Sequence, residues 1–233
     1  MSFPSQAMVF AAGFGTRMGA LTANRPKPLL EVKGISLLQR AIDQLRRAGV
    51  TRIVVNTHYH ADQVEAAVGD DVTLSYEPEI LETGGGLQAA LRHFDPGPVL
   101  TANPDALWAP GADAWGTLSK AWDPARADAC LLLVPRSRAQ GSVSAGDFFL
   151  EPDGQLTRRG AQDHAPFIYS GLQVLNPAML TQMERGPFSL NVLWNRFAMD
   201  GRLSGTVLDA DWVDVGRPEG LELANRMMDD ADV

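Results

Sequence analysis

The sequence lacks several features that define large classes of proteins. It has one cysteine in 233 residues, so an internal disulfide is excluded and a reducing compartment is expected. No apolar run approaches the roughly 20 residues that span a bilayer. The opening MSFPSQAM has neither the basic nor the apolar region of a secretion signal. We therefore expect a cytoplasmic protein that has no membrane partner.

Basic residues are also in short supply. The chain has 20 lysines and arginines against 28 acidic residues, a formal net charge of −8. Because binding to a phosphate backbone needs a basic face, a nucleic-acid partner is not expected. Small anionic substrates are compatible with this charge only if a few cations and a metal ion are focused in one cleft.

Apolar runs alternate with helical patterns along the first half of the chain. Short strands are predicted at Met8–Ala12, Arg52–Thr57, Val72–Tyr76, Val99–Ala102 and Ala129–Val134. Ser36 is typical of a helix N-cap, with Gln39 three residues later. The segment ETGGG is predicted as a loop that precedes a helix over LQAALRHF. Strands that alternate with helices predict parallel βαβ units.

The second half changes character after Pro135. A PDG turn at 152–154 indicates a β-hairpin, FIYSGLQVL and TVLDADWVDVG suggest later strands, and PEGLELANRMM a closing helix. We therefore expect an α/β fold, Rossmann-like, with a mostly parallel sheet, helices on both faces and a small hairpin insertion. The interpretation is a single domain over 1–233, with one half at 8–135 and the other at 136–233.

A glycine-rich segment, FAAGFGTRM, follows the first predicted strand. Glycines there let backbone N–H groups approach a phosphate closely. A dinucleotide-binding Rossmann loop is the alternative, but Gly19 lies one residue too far along for that motif. The second strand also lacks a following acidic residue, and no G-K-[ST] is present, which excludes a P-loop. Ten residues beyond Arg17, the segment RPKPLL holds Lys27 between two prolines that fix the backbone.

Two aspartates and a second glycine cluster complete the candidate chemistry. Asp105 follows the fourth predicted strand, and Asp214 lies in WVDVG near the end of the late strand. Each aspartate alone is typical of a turn. The glycines of ETGGG would let a flat base lie against the backbone.

Together, AAGFGTRM and PKPLL resemble the signature of the magnesium-dependent sugar-1-phosphate nucleotidyltransferases, the nucleotide-sugar pyrophosphorylases, which have a GT-A-like fold. LETGGG and the short chain are most similar to the N-acetylmuramate-1-phosphate uridylyltransferases of that family. The resemblance implies small-molecule substrates, a nucleoside triphosphate and a sugar 1-phosphate. It also implies pyrophosphate as a product, with UTP and a role in peptidoglycan recycling for that branch. A mannose-1-phosphate guanylyltransferase and a non-enzymatic subunit that senses nucleotide sugars are the alternatives.

The resemblance implies that 8–135 is the nucleotide-binding half and 136–233 the sugar-phosphate-binding half. It also implies roles for individual residues. Mg²⁺ would lie on Asp105 and Asp214, and the catalytic residues would be Arg17, Lys27 and Asp105. The nucleotide would contact Ala11, Ala12, Gly13, Gly15, Thr16, Arg17, Lys27, Glu82, Gly84 and Gly85, and the sugar phosphate Gly146, Asp147, Ser170 and Gly171.

The chain departs from the family pattern at two places. Pro104 stands where relatives have glycine before the first metal aspartate, which removes an N–H there. The chain also lacks the E-K-P lysine that longer relatives place on the sugar phosphate, and Arg158 or Arg159 would replace it. For the lactyl carboxylate of a muramic acid, Arg136 and Arg138 are further candidates.

Overall fold

A computed structural model of the chain describes residues 3–141 and 145–229. None of the helices in these ranges is both long and apolar enough to cross a lipid bilayer. Its strands are β1 (Gln6–Phe10), β2 (Glu31–Val32), β3 (Ile35–Ser36), β4 (Arg52–Thr57), β5 (Val72–Tyr76), β6 (Val99–Ala102), β7 (Ala106–Trp108), β8 (Ala129–Pro135), β9 (Ala139–Gly141), β10 (Phe148–Leu150), β11 (Leu156–Arg158), β12 (Phe167–Leu175), β13 (Leu203–Val207) and β14 (Trp212–Asp214). Its α-helices are α1 (Leu37–Arg47), α2 (Ala61–Ala67), α3 (Glu82–Ala90), α4 (Ala114–Ala121), α5 (Asn191–Met199) and α6 (Pro218–Asp229).

The chain forms two compact units, and it passes between them more than once. Unit 1 comprises Met1–Pro104 and Leu175–Leu193, and unit 2 comprises Asp105–Val174 and Trp194–Val233.

Unit 1 is built on parallel strands in the order β6-β1-β4-β5. β1 and β4 are almost entirely buried, as expected for strands of a parallel sheet covered on both faces. The register pairs Phe10 with Asn56 at the carboxyl ends of these two strands. The glycine-rich segment after β1 therefore begins beside the end of β4.

The predicted start of α1 is confirmed. The Ser36 hydroxyl accepts a hydrogen bond from Gln39 N at 3.1 Å, which satisfies one of the unpaired N–H groups of the first turn. The Gln39 amide bonds Asp43 in the next turn instead of returning to the cap. The apolar face of α1 is buried and consists of Leu37, Leu38, Ala41, Ile42 and Leu45.

Unit 2 contains a mixed sheet and a small three-stranded one. β8 pairs with β12 and, in parallel, with β13, while β12 pairs antiparallel with the hairpin strand β10. The hairpin β10–β11 is antiparallel, as the PDG turn predicts. The small sheet has the order β7-β14-β9. Cys130 in β8 is fully buried, as its apolar surroundings in the sequence predict, and burial raises its pKa to about 11.

The α/β class with a mostly parallel sheet is confirmed, and three local predictions are wrong. The first strand ends at Phe10, because Ala11 N donates to the Asn56 side chain instead of a neighbouring strand. ETGGG forms the first turns of α3 and is not a loop. The late segment forms two strands, β13 and β14, where the pattern predicts one. Helix α5 is a further element, which the sequence pattern does not predict.

Candidate active site

The glycine-rich segment of unit 1 packs directly against the segment that carries Lys27. Gly15 has a left-handed backbone, with φ of 65°. A Cβ at this position would lie 2.8 Å from the Cβ of Lys27, closer than real side chains approach. Glycine is therefore required at this contact for two reasons, the backbone angle and the space.

A network of hydrogen bonds holds the segment that follows Gly15. The Thr22 hydroxyl donates to the carbonyl of Gly15 at 3.0 Å. The Tyr59 hydroxyl, just after β4, bonds the carbonyl of Thr22. Between these anchors, Arg17 is exposed and has no partner among the residues that the structure describes. Lys27 is half-buried beside Gly15. Unit 1 thus presents two cations on neighbouring, fixed segments.

A buried polar pair joins the end of β4 to the segment after β5. Ala11 N donates to Asn56 Oδ1 at 2.7 Å, and Asn56 Nδ2 donates to Glu77 Oε1 at 2.7 Å. Glu77 Oε2 accepts from Leu81 N at 3.0 Å. Asn56 is 3% exposed and Glu77 1%, so the carboxylate is surrounded by protein. The pair connects the start of the glycine-rich segment with the start of α3.

The glycines of α3 serve packing. Gly84 N and Gly85 N both donate to the carbonyl of Phe188, at 2.8 and 3.1 Å. A Cβ at Gly84 would collide with the Phe188 ring, and one at Gly85 with the carbonyl of Gly186. These two N–H groups are therefore already used, and the glycines let the chain around 186–188 lie against the helix.

The residues ahead of these glycines carry N–H donors that the described part of the chain does not use. Glu82 has φ of 58°, a left-handed conformation that is rare and strained for a side chain other than glycine. Since the first N–H groups of a helix have no intrahelical acceptor, those of Glu82 and Thr83 are unpaired within the described part of the chain. Thr83 itself is anchored through its hydroxyl, which accepts from Leu190 N at 2.9 Å.

In unit 2, the small sheet brings the main chains of Asp105 and Asp214 close together. The register of β7 and β14 pairs Asp214 with Ala106, and Val215 N donates to the carbonyl of Asp105 at 2.9 Å. Asp105 is therefore opposite Val215, and Asp214 lies one residue out of register with it. Carboxylate oxygens are the ligands that Mg²⁺ prefers. No group of three or more His, Cys, Asp or Glu within 3–141 and 145–229 forms a metal cluster. A cation here would complete its shell with water and substrate oxygens, as Mg²⁺ commonly does.

The backbone of Asp214 is tightly enclosed. A Cβ at Gly141 or at Gly220 would collide with the Asp214 carbonyl oxygen, so both positions require glycine. This packing fixes the main chain from which the carboxylate extends.

The four residues expected on the sugar phosphate divide into two pairs. The carboxylate of Asp147 accepts from Tyr169 N at 3.0 Å, and Gly146 has φ of 94°. Ser170 is fully buried, and its hydroxyl donates to the carbonyl of Leu132 at 2.9 Å. The Ser170 hydroxyl is thus engaged in structure, whereas Asp147 is only partly buried. Gly171, beside Ser170, has φ of 88°.

The arginines of unit 2 occupy different environments. Arg138 forms exposed ion pairs with Asp209 and Asp211. The Arg159 guanidinium donates to the carbonyl of Gly146 at 2.9 Å and to that of Gln162.

Arg158 lies over two aromatic rings. Its guanidinium carbon is 5.0 Å from the centroid of Phe148 and 5.6 Å from that of Trp194. Burial lowers the pKa of Arg158, and the neighbouring Asp147 opposes that change. Arg158 is therefore a partly desolvated cation beside Asp147.

Comparison with known proteins identifies the family. The profile of the MobA-like NTP transferase domain matches residues 7–175. The chain is 41% identical over 226 residues to an N-acetylmuramate alpha-1-phosphate uridylyltransferase from Caulobacter vibrioides, covering 93% of each chain. It is 34% identical to a protein of the same name from Neisseria meningitidis, covering 91% of this chain and 93% of that one.

The chain belongs to the sugar-1-phosphate nucleotidyltransferase family.

Solved structures agree with the nucleotidyltransferase fold. HddC from Yersinia pseudotuberculosis has a TM-score of 0.75 at 23% identity, over 95% of this chain and 98% of that chain. The same protein complexed with GMP-PN gives 0.76 at 22% identity, with the same coverage. At these identities the likeness concerns the fold.

Two features of the candidate site are not predicted from the sequence. The Asn56–Glu77 pair is not predicted, because the two residues are 21 positions apart and meet only when β4 pairs with β5. The anchoring of Gly84 and Gly85 by Phe188 is missed because the partner lies about a hundred residues away. The sequence does contain one indication of the Asn56–Glu77 pair, which is an asparagine and a glutamate at the ends of adjacent apolar strands.

Proposed function

We propose that the protein transfers a uridylyl group from UTP to N-acetylmuramic acid 1-phosphate, releasing pyrophosphate. The observation that carries this proposal is the 41% identity, over 93% of both chains, to a relative named for that reaction. A plant protein named as a probable mannose-1-phosphate guanylyltransferase is 26% identical, and this chain covers 62% of it. The muramate branch is therefore favoured over the guanylyltransferase alternative.

Unit 1 would bind the triphosphate through Arg17 and Lys27. Transfer between two anions depends on neutralisation of charge more than on covalent help. Two cations on neighbouring anchored segments provide that neutralisation in a chain whose net charge is −8. The surrounding N–H groups of the glycine-rich segment would add donors, although that of Ala11 is already bound to Asn56.

The base would be recognised at the start of α3. The N–H groups of Glu82 and Thr83 have no partner within the described residues, and uracil presents an acceptor, O4, at its edge. Cytosine presents a donor at the same position. A site left with two facing donors rejects such a misfit strongly.

The sugar phosphate would be the nucleophile. One of its oxygens attacks the α-phosphorus in line and pyrophosphate leaves with the electron pair of the broken P–O bond. A phosphate monoester is largely dianionic at neutral pH, so no general base is required. This agrees with a site in which we assign cations and carboxylates but no histidine or cysteine.

We further propose that Mg²⁺ is held by Asp105 and Asp214 in unit 2. When bound, the ion would neutralise phosphate charge. Asp105→Asn and Asp214→Asn should each leave a folded protein that loses activity by about two orders of magnitude or more, since charge stabilisation of this kind amounts to several kcal/mol. Asp163→Asn, which changes an exposed aspartate of the same unit outside the proposed site, is the matched control. Near-normal turnover in either test variant would remove that residue from the site.

The lactyl carboxylate of the sugar would be bound by Arg158. Arg158 is favoured among the candidates because it is a partly desolvated cation that stacks on the rings of Phe148 and Trp194. Because Lys cannot reproduce the planar stacking of a guanidinium on aromatic rings, Arg158→Lys should raise KM for the muramate substrate. It should leave KM for N-acetylglucosamine 1-phosphate, which has no lactyl group, nearly unchanged. An equal effect on both sugars would contradict this assignment.

A matrix of nucleoside triphosphates against sugar 1-phosphates, with pyrophosphate release as the readout, tests the proposed pair. UTP with N-acetylmuramic acid 1-phosphate should give the highest kcat/KM. If GTP with mannose 1-phosphate is faster under matched conditions, the branch is wrong although the reaction class stands.

The cellular role proposed is the recycling of peptidoglycan sugars in the cytoplasm. A strain that lacks the gene should accumulate N-acetylmuramic acid 1-phosphate in its cytosolic fraction. Wild-type levels of that metabolite would argue against this role.

A further inference from the structure

The buried Asn56–Glu77 pair has a fixed hydrogen-bond direction. An ionised carboxylate only accepts hydrogen bonds, so Glu77 requires the NH₂ end of the Asn56 amide to face it. The oxygen end must then face Ala11 N, as observed. The negative charge of Glu77 therefore determines which group of Asn56 meets the glycine-rich segment.

The second oxygen of Glu77 holds the other nucleotide segment. It accepts from Leu81 N, the residue directly before Glu82 with its left-handed φ of 58°. One carboxylate thus fixes the residue that starts the glycine-rich segment and the residue that precedes the proposed base-reading donors.

The backbone of Glu77 is anchored independently of its side chain. Glu77 N donates to the carbonyl of Thr57 at 2.8 Å, and His58 Nδ1 donates to the carbonyl of Glu77 at 2.8 Å. Gly86 makes room for the carboxylate, since a Cβ there would lie 2.6 Å from Glu77 Oε1. A change of side chain at Glu77 therefore leaves its main chain in place.

We propose that Glu77 and Asn56 are positioning residues that couple phosphate binding to base binding within unit 1. A bound base would favour the arrangement of the glycine-rich segment that binds phosphates, and bound phosphates would favour the arrangement of the start of α3 that binds the base. The two effects are coupled because both segments are tied to one carboxylate. Neither side chain touches the substrate. The inference rests on the proposal that unit 1 binds the nucleotide, but it does not depend on which base is preferred.

The direction of the hydrogen bonds gives a sharp test. In Glu77→Gln, the new NH₂ group can take two positions. It either faces the Leu81 N–H, or it faces Asn56, which must then turn its own NH₂ towards the Ala11 N–H. One of the three bonds is lost in either arrangement. In Asn56→Asp, two carboxylates face each other. In the double variant Asn56→Asp/Glu77→Gln, the carboxylate moves to position 56 and all three hydrogen bonds can form again.

The coupling is measured with fragments of the nucleotide. The affinity for inorganic tripolyphosphate is determined by calorimetry in the absence and in the presence of a saturating nucleoside. This nucleoside carries the same base as the triphosphate that the wild type accepts best. We expect the nucleoside to strengthen tripolyphosphate binding severalfold in the wild type. It should have almost no effect in Glu77→Gln, and the double variant should regain most of the enhancement. A leftover unpaired donor should also weaken binding of the whole triphosphate by about tenfold in Glu77→Gln.

Controls separate this role from simple stabilisation. Glu79→Gln makes the same chemical change at an exposed residue two positions away and should behave as wild type. Glu77→Asp keeps the charge but shortens the reach, so it should retain part of the coupling if Glu77→Gln proves too unstable to study. Equal enhancement in wild type and Glu77→Gln, or a folded double variant no better than either single one, would overturn the proposal. If UTP with N-acetylmuramic acid 1-phosphate proves not to be the preferred substrate pair, only the nucleoside used in this calorimetric experiment changes.

Discussion

Glu82 provides a test of whether the start of α3 recognises the base through its backbone or its side chain. A residue other than glycine in the left-handed region costs about 1–2 kcal/mol, while glycine costs about 0.5–1 kcal/mol more than alanine in chain entropy. Glu82→Gly removes the strain of φ 58°, and Glu82→Ala keeps it. The Gly variant should therefore be more stable than the Ala variant by about 0.5–1 kcal/mol, or roughly 1–4 °C in Tm for a chain of this size.

Substrate ranking supplies the second half of this test. If the N–H groups of Glu82 and Thr83 recognise the base, both variants keep the wild-type order of nucleoside triphosphates in kcat/KM, because neither substitution removes an N–H. If both variants lose the preference to the same extent, the Glu82 carboxylate makes the contact and backbone recognition is refuted. A Gly variant less stable than the Ala variant would refute the strain argument.

Three further predictions concern other parts of the molecule. Arg17→Ala and Lys27→Ala should each lower kcat/KM on the order of a hundredfold and equally for every nucleoside triphosphate, since phosphates are common to all; a base-dependent loss would contradict this. Gly84→Ala should lower the free energy of unfolding by about 1–3 kcal/mol through collision with Phe188, and an unchanged Tm would show that the contact is not required. Burial raises the pKa of Cys130 to about 11, whereas an unfolded thiol ionises near pH 9. The unfolding free energy should therefore fall as pH rises from about 9, by ~2 kcal/mol at about pH 10.5. Cys130→Ala should lack this component in urea titrations, and an identical pH dependence of the two proteins would show that the thiol does not contribute.

The parts of the fold that the sequence predicts are those with local causes. β4, β5 and β6 are continuous runs rich in apolar residues with clear boundaries, and they lie where the pattern predicts. The Ser36 cap needs only the residues of its own first turn. Parallel pairing of these strands follows from the helical connections between them.

The parts that it does not predict depend on contacts distant in sequence. Three consecutive glycines argue against a helix by propensity. α3 nevertheless runs through them, and the chain around Phe188 occupies the space that larger side chains would fill. The choice among the arginines of unit 2 is likewise open from spacing alone. Arg158 stacks on the rings of Phe148 and Trp194, whereas its neighbour Arg159 binds backbone carbonyls, and both environments come from residues distant in the sequence.

The packing of Phe188 on α3 has a consequence for protein engineering. A combinatorial library that aims to change nucleotide preference could randomise the glycine cluster, since it is the conspicuous motif. Here Gly84 and Gly85 have no space for any larger side chain, so most members of such a library would be lost to misfolding before selection begins. Diversity would be better introduced at the strained residue ahead of them, where the side chain is exposed and the backbone would accept glycine.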